Sequence, residues 1–325
     1  MELKHYENGR ELMEAVIRGE ITDRLPRDGV DYINYFNRVE YPKEIKDGYG
    51  IDLFGVRLRQ APDGLTPDSH YDIDAWETYP FPDVNELPIK EDAEKLYQTF
   101  DHSKMMLRMD IPYCHFERMS SIFGMEETLM ALYSEPEIVQ GFFARLTDYF
   151  IEKFRLFKKY YDVDIIVCHD DWGENRNMFF SPEVWRQIFK PELKRLIDAV
   201  HDMGMYYEQH SCGHIEEIIG DLVELKVDIL QPLMATCNDI PAIKRIYGEK
   251  LVISGACDTR GIVDSAADEP TVRRLAREAI ETCAPGGRYI PSRVVYGPGN
   301  AWKKDVIEDE IRRYEAKLKA SAEQN

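Results

Sequence analysis

Five strand-like segments alternate with amphipathic segments in the second half of this 325-residue chain. Residues 164–168, Asp-Ile-Ile-Val-Cys, form a short apolar run that is typical of a strand buried on both faces, and the segments between the predicted strands repeat apolar residues at helical spacing. Such an alternation predicts βαβ units and a parallel sheet. The predicted strands are residues 164–168, 206–211, 227–231, 251–256 and 288–294.

A chain of this length can complete an α/β (β/α)₈ TIM barrel with an N-terminal helical extension. We expect a single domain over residues 1–325, in which residues 1–100 form the extension and loops and residues 101–325 form the main barrel. Residues 105–112 predict one further strand. Because the active site of a barrel lies at the carboxyl ends of its strands, the residues that follow each strand are the functional candidates.

The composition excludes some classes of function. Lys and Arg total 41 and Asp and Glu total 60, a net charge of −19, which argues against a nucleic-acid partner because phosphate backbones need a basic surface. No apolar run approaches the roughly 20 residues of a membrane span, and the polar first residues do not predict a signal peptide. We therefore expect a cytoplasmic protein without membrane contact, as a monomer or homodimer. The six cysteines are too scattered for a disulfide framework.

The sequence from Glu208 to His214 contains a candidate metal pair. Residues 208, 210 and 212 point to one face of a strand, and in a closed barrel that face is the interior. His210 and Cys212 can therefore bind one Zn²⁺ together, because imidazole and thiolate are ligands that zinc prefers. The alternative is a hydrogen-bonded core histidine beside a buried cysteine, and two residues alone do not separate the two interpretations.

Carboxylates follow two of the predicted strands. Asp170 and Asp171 come two and three residues after the strand at 164–168, where their repulsion can raise one pKa and suit it to acid–base chemistry. One of them can instead cap a turn, and we expect one of the two to be structural. Asp258, after the strand at 251–256, is a third catalytic candidate. Its neighbour Cys257 is either a further thiolate ligand or a small packing residue.

Several motifs resemble the uroporphyrinogen decarboxylase superfamily over roughly residues 105–300. They are DDWG (170–173), SPEVW (181–185), HSCGH (210–214), VDILQP (227–232), SGACDT (254–259) and APGGRYIPS (284–292). The opening segment and DLFGV (52–56) are similar to the start of the methyltransferase branch of that superfamily. The resemblance implies a barrel and one of two activities: decarboxylation of uroporphyrinogen, or methyl transfer to or from corrinoid proteins and thiols.

The methyltransferase branch implies zinc on His210 and Cys212. Its third ligand is a cysteine at the position where this chain has Val295. Either Cys257 or Glu208 replaces that ligand, or the chain holds no stable metal. The segment from Arg57 to Pro62 lacks the Gly-Arg ending of the decarboxylase branch, so that activity is the less favoured one.

These features predict a methyltransferase that takes a methyl group from a small donor, such as a methoxylated aromatic, and passes it to a corrinoid protein. Zn²⁺ would act as a Lewis acid or ionise a thiol, and Asp170 or Asp171 would protonate the leaving oxygen. Two alternatives remain open: a cofactor-free decarboxylase that holds a carboxylate with arginines, and a non-catalytic component that binds a corrinoid protein. The predicted substrate-binding residues are Tyr113, Trp172, Arg176 and Arg293.

Overall fold

Seven parallel strands form the main sheet of the protein, and each strand pairs with the next one of the sheet along the chain. The computed structural model describes residues 3–61, 64–68, 70–258, 261–262, 266–293, 295, 297 and 299–324. The strands in chain order are β1 (Tyr32–Phe36), β2 (Tyr49–Ile51), β3 (Arg57–Ala61), β4 (Gly64–Pro67), β5 (Met106–Ile111), β6 (Ile165–His169), β7 (Tyr206–Ser211), β8 (Ile229–Pro232), β9 (Val252–Ser254) and β10 (Tyr289–Ile290).

The main sheet consists of β1 and β5 to β10, while β2 to β4 form a separate antiparallel sheet. The five strands predicted in the second half are present as parallel neighbours in chain order, so this prediction is confirmed. The strand predicted at 105–112 is β5. The last predicted strand was to reach Val294, which lies outside the described residues.

Helices follow the strands and cover the outside of the sheet. They are α1 (Gly9–Arg18), α2 (Ile89–Leu96), α3 (His115–Phe123), α4 (Met125–Ser134), α5 (Pro136–Tyr161), α6 (Pro182–Val184), α7 (Lys190–Asp202), α8 (Glu216–Glu224), α9 (Ile240–Tyr247), α10 (Glu269–Cys283) and α11 (Trp302–Glu323). One π-helical turn, Trp185–Phe189, joins α6 to α7. None of the described helices is long and apolar enough to cross a membrane.

The sheet curls round an interior of its own. A compact apolar cluster takes side chains from strands at both ends of the strand order, among them Tyr32 of β1 and Ile290 of β10. Leu12 and Val16 of α1 belong to the same cluster, so this helix closes the amino-terminal end of the interior. A second, larger cluster lies between the strands and the surrounding helices. Two separate cores, one inside and one outside a parallel sheet, are the arrangement of a β/α barrel, as predicted.

The first hundred residues contribute more than the extension and loops that the sequence predicts. They supply α1, β1 and the sheet of β2 to β4. Buried charges anchor this segment, since Arg118 of α3 donates to Asp52 at 2.8 Å and lies 3.5 Å from Glu40. All three side chains are almost fully buried. The antiparallel sheet is therefore fixed above the carboxyl ends of β1 and β5.

Candidate metal centre and cavity

Asp171, His210 and Cys212 bring their ligand atoms together at the carboxyl ends of β6 and β7. These atoms all lie within 4.8 Å of one another. Nε2 of His210 is 3.4 Å from Sγ of Cys212 and 3.6 Å from Oδ1 of Asp171. Ligand atoms at about 2.0–2.3 Å from a tetrahedral zinc ion are separated from each other by roughly 3.3–3.8 Å. The donor set and its spacing therefore fit a divalent transition metal such as zinc.

The pairing of β6 with β7 creates this group. His169 of β6 is the register partner of His210, so the residues that follow each strand lie side by side. Oδ1 of Asp171 accepts a hydrogen bond of 2.7 Å from the backbone N–H of Cys212, which fixes the two residues to each other. Beyond them the chain turns at Gly213, where φ is 79°, and a Cβ at this position would lie 2.3 Å from the backbone of Gly173.

Burial sets the protonation of the group. It lowers the pKa of His210 well below its usual range, and the nearby His169 and Arg108 lower it further. His210 is therefore a neutral imidazole at physiological pH, the form that binds a metal. Burial also raises the pKa of Asp171, an effect that the N–H of Cys212 opposes. A bound cation would favour the ionised form of this carboxylate.

Asp170 has a different position from its neighbour. It is 1% exposed, and Oδ1 accepts from the backbone N–H of Glu117 at 2.9 Å while Oδ2 accepts from Nε1 of Trp172 at 2.8 Å. The first of these bonds caps the amino-terminal turn of α3. Burial raises the pKa of Asp170 to about 7. Asp170 therefore has the contacts of a structural residue, whereas Asp171 faces the candidate metal centre.

The two further ligands that the sequence suggested lie elsewhere. Glu208 is fully buried and forms a two-point ion pair with Arg108, with both N–O distances at 2.6 Å. Cys257 belongs to the outer core together with Cys283 and Tyr289. Neither belongs to the metal group, and the third side chain is the carboxylate of Asp171 instead. Val295, where the resemblance places a cysteine ligand, packs against the outer core.

A cavity of about 670 Å³ opens beside this group, between the barrel mouth and the hairpin of β3 and β4. Tyr113, a predicted substrate-binding residue, lies in its wall. The rings of Phe36 and Tyr41 are stacked with centroids 5.9 Å apart, and Tyr113 contacts Tyr41 edge-on at 6.4 Å. The described lining is Phe36, Arg38, Tyr41, Gln60, Ala61, Gly64, Leu65, Thr66, Pro112, Tyr113, Glu117 and His169.

Glu117 and His169 connect the cavity to the metal group, and both line the cavity. The carboxylate of Glu117 accepts from the backbone N–H of Asp171, and burial next to Asp171 and Asp170 raises its pKa well above the usual range. The ring of His169 stacks on that of His210, with centroids 4.1 Å apart and planes at 16°. A molecule in the cavity would therefore approach the metal group along these two side chains.

The structure does not bring the remaining predicted site residues to this cavity. Trp172 is fully buried and packs edge-on against Trp185 at 5.4 Å. Arg176 is exposed in the loop after β6, and Asp258 accepts from the backbone N–H of Gly261 at 2.8 Å. Arg293 pairs with Glu308 at 3.1 Å. Their predicted roles have no geometric support among the described residues.

Sequence reasoning missed three residues of the site: Asp110, Glu117 and His169. Asp110 is the second-last residue of β5 and accepts from His169 at 2.9 Å, and His169 ends β6, so a search of the strand ends would have found both. Glu117 lies on α3 and reaches the site only because Asp170 holds the first turn of that helix in place. No local sequence signal marks such a residue.

Comparisons with known proteins agree with this architecture. A family model for uroporphyrinogen decarboxylase (URO-D) matches residues 114–293. Among solved structures, a methyltransferase from Methanosarcina mazei superposes with a TM-score of 0.72 at 12% identity, over 94% of this chain and 99% of that chain. This likeness shows the fold alone. Comparison with curated protein sequences gives no significant match.

Two further solved structures match at lower TM-scores. A xylose isomerase domain protein from Alicyclobacillus acidocaldarius matches with a TM-score of 0.38 at 15% identity, over 75% of this chain and 91% of that chain. A D-psicose 3-epimerase matches with a TM-score of 0.39 at 12% identity, over 78% of this chain and 86% of that chain. The matched family segment, by contrast, spans more than half of the sequence and contains β6 to β10 with Asp171, His210 and Cys212, and the chain belongs to the uroporphyrinogen decarboxylase (URO-D) family.

Proposed function

We propose that this protein is a metal-dependent methyltransferase that transfers a methyl group from a small methoxylated donor to a corrinoid protein. The group of Asp171, His210 and Cys212 at the barrel mouth carries this proposal. Thiolate, imidazole and carboxylate together suit zinc, and three protein ligands leave a position for a substrate atom. When bound there, zinc would supply Lewis acidity towards that atom.

The cavity favours a flat donor. Phe36, Tyr41 and Tyr113 present three rings to a space of about 670 Å³, a size typical of sites for small molecules. Ring contacts of this kind add about 0.5–1.5 kcal/mol beyond area burial for an aromatic partner. A methoxylated aromatic ring would lie against these side chains, with its methoxy group towards His169 and the metal group.

Glu117 is the acidic side chain of the described cavity lining. Loss of a methyl group leaves an oxygen that needs a proton, because an alkoxide or phenolate is a poor leaving group. The sequence assigned this role to Asp170 or Asp171. Asp170 does not line the cavity, and its two oxygens accept from Glu117 and Trp172, while Asp171 belongs to the metal group. We therefore assign the proton to the carboxyl group of Glu117.

The described residues give no support to the two arginines on which the decarboxylase alternative was based. That alternative relied on Arg176 and Arg293 to hold a carboxylate, and neither side chain lines the cavity. Arg293 is paired with Glu308, and its other nitrogen donates to the backbone oxygen of Asp28. A non-catalytic binding component would not need the group of Asp171, His210 and Cys212, whose neighbours Glu117 and His169 line the cavity.

The test is a demethylation assay with free cob(I)alamin as the acceptor. Protein purified with added zinc is incubated with a panel of methoxylated benzenes and phenols, and the demethylated product and the metal content are measured. We expect about one zinc per chain, and turnover that falls at least 100-fold in His210→Ala and Cys212→Ser. Zinc-loaded protein without turnover on any donor would contradict methyl transfer, and absence of zinc would contradict the metal centre.

A further inference from the structure

His169 and His210 form a face-to-face pair of imidazoles inside the barrel mouth. They are register partners at the ends of β6 and β7, and their rings are parallel within 16° at a centroid distance of 4.1 Å. Phe36 contacts the His169 ring edge-on at 6.2 Å. The His169 ring is thus held in one plane, parallel to the plane of the His210 ring.

A carboxylate holds His169 in that plane. Nε2 of His169 lies 2.9 Å from Oδ1 of Asp110, and since a carboxylate only accepts, the imidazole nitrogen donates. Asp110 is 8% exposed, and its other oxygen lies 3.9 Å from Arg108. Arg108 in turn has its two-point ion pair with Glu208. A chain of charged contacts therefore runs up the barrel interior and ends at the His169 ring.

His210 lacks the usual restraint of a histidine ligand. Such a ligand normally donates its second ring nitrogen to a carboxylate, a backbone carbonyl or water, which fixes the ring plane. Nδ1 of His210 is buried, and none of the described residues is its hydrogen-bond partner at normal distance and angle. Gln231, the register partner of His210 on β8, offers the ring only a weak side-chain hydrogen bond. Packing against the parallel ring of His169 therefore helps to set the plane of the His210 ring.

We propose that His169, held by Asp110, is a positioning residue for the metal ligand His210. The stacked ring keeps Nε2 of His210 directed at the space between Sγ of Cys212 and the carboxylate of Asp171. This inference rests on the proposed metal centre. It assigns to ring stacking the orienting role that a hydrogen bond has in most histidine ligands.

The experiment is a titration of metal-free protein with Co²⁺. The near-ultraviolet charge-transfer band reports a bond to the Cys212 thiolate, and the visible bands report the coordination geometry. We expect His169→Ala to bind Co²⁺ about 10- to 100-fold more weakly, the range for loss of a partner that orients a ligand, with altered visible bands. His169→Phe keeps a flat ring over His210, and we expect it to stay within about threefold of the wild type.

The matched control is His201→Ala. His201 also pairs with a carboxylate, Asp228, at 2.8 Å, but at the amino-terminal end of the strands. The His201→Ala variant should bind Co²⁺ as tightly as the wild type. Circular dichroism of the metal-free variants checks folding, and His169→Leu, with a side chain of similar size but no ring, replaces His169→Ala if that variant fails to fold.

The outcomes separate the inference from the function on which it rests. Wild-type affinity and spectrum in both His169→Ala and His169→Leu, or a His169→Phe variant as weak as His169→Ala, would overturn the positioning role and leave the metal centre intact. Absence of Co²⁺ binding by the wild type would overturn both.

Discussion

Arg108 and Glu208 form a two-point ion pair across the barrel interior, directly below the candidate metal centre. Both side chains are buried, and loss of one partner leaves an uncompensated buried charge. Breaking such a pair typically costs about 3–5 kcal/mol. Glu208 is therefore part of the support of the site, although its sequence position on the face of His210 suggested a ligand.

We predict that Glu208→Gln lowers the free energy of unfolding by about 3 kcal/mol. The double variant Arg108→Met/Glu208→Leu removes both charges and should recover much of the loss. Urea denaturation measures both values. Co²⁺ affinity should change far less than in a variant of a true ligand, and a selective loss of metal binding without loss of stability would restore Glu208 as a ligand.

The adjacent carboxylates Asp170 and Asp171 should respond in opposite ways to the same substitution. In Asp170→Asn, an NH₂ group replaces one of the two carboxylate oxygens. It then faces either the indole N–H of Trp172 or the backbone N–H of Glu117, and that donor loses its acceptor. We therefore expect a loss of about 1–3 kcal/mol in the free energy of unfolding. Metal affinity should remain. Asp171→Asn keeps an oxygen for the N–H of Cys212, so its stability should change little while its Co²⁺ affinity falls at least tenfold.

Stability and Co²⁺ affinity must be measured for both variants. Urea denaturation of the metal-free proteins gives the stability, and Co²⁺ titration gives the affinity. Equal losses of both quantities in the two variants would contradict the division of roles between the capping carboxylate and the ligand.

Sequence patterns predict the strands of the second half because these strands alternate regularly with amphipathic helical segments. The strand β1, Tyr-Ile-Asn-Tyr-Phe, was not predicted, since it lies in the first hundred residues, outside that alternation. The polar middle of the barrel, in which Arg108 bonds to both Asn34 and Glu208, could not be predicted either, because it depends on how β1, β5 and β7 pack together.

The pair of His210 and Cys212 could be predicted because two residues on one strand face need no tertiary information. The third member of the group could not, because it depends on how β6 sits against β7. The resemblance placed a ligand near Val295, while strand pairing brings Asp171 to Cys212. Which of the two adjacent carboxylates faces the centre is decided by the cap on α3, a contact with a helix more than 50 residues earlier in the chain.

The pair of His201 and Asp228 should make a pH-dependent contribution to the free energy of unfolding. The hydrogen bond that His201 donates to the carboxylate of Asp228 raises the pKa of His201 above its ordinary value. A histidine with a raised pKa in the folded state stabilises fully below its unfolded pKa of about 6.5, and this contribution is lost as the pH rises through the folded value. Because His201 is 28% exposed, we expect only about 0.5–1 kcal/mol.

The variant His201→Gln tests this prediction. Its deficit in unfolding free energy against the wild type should be largest near pH 5.5 and should shrink by pH 9, as measured by urea denaturation at both values. A deficit that is the same at both pH values would show that the imidazole acts by packing and not by its charge.

The aromatic side chains of the cavity should contribute to the binding of a flat donor. Tyr41 contacts both Phe36 and Tyr113, so removal of its ring should disturb the whole surface against which a flat donor would lie. We expect Tyr41→Leu to weaken the binding of a methoxylated aromatic about 3- to 10-fold, in line with about 0.5–1.5 kcal/mol for one ring contact, whereas Tyr41→Phe keeps most of the affinity. Isothermal titration calorimetry measures the affinity. The control is Tyr133→Leu, which removes an exposed ring on α4 outside the cavity. An equal loss of affinity in Tyr41→Leu and in this control would show that the donor does not bind in the cavity.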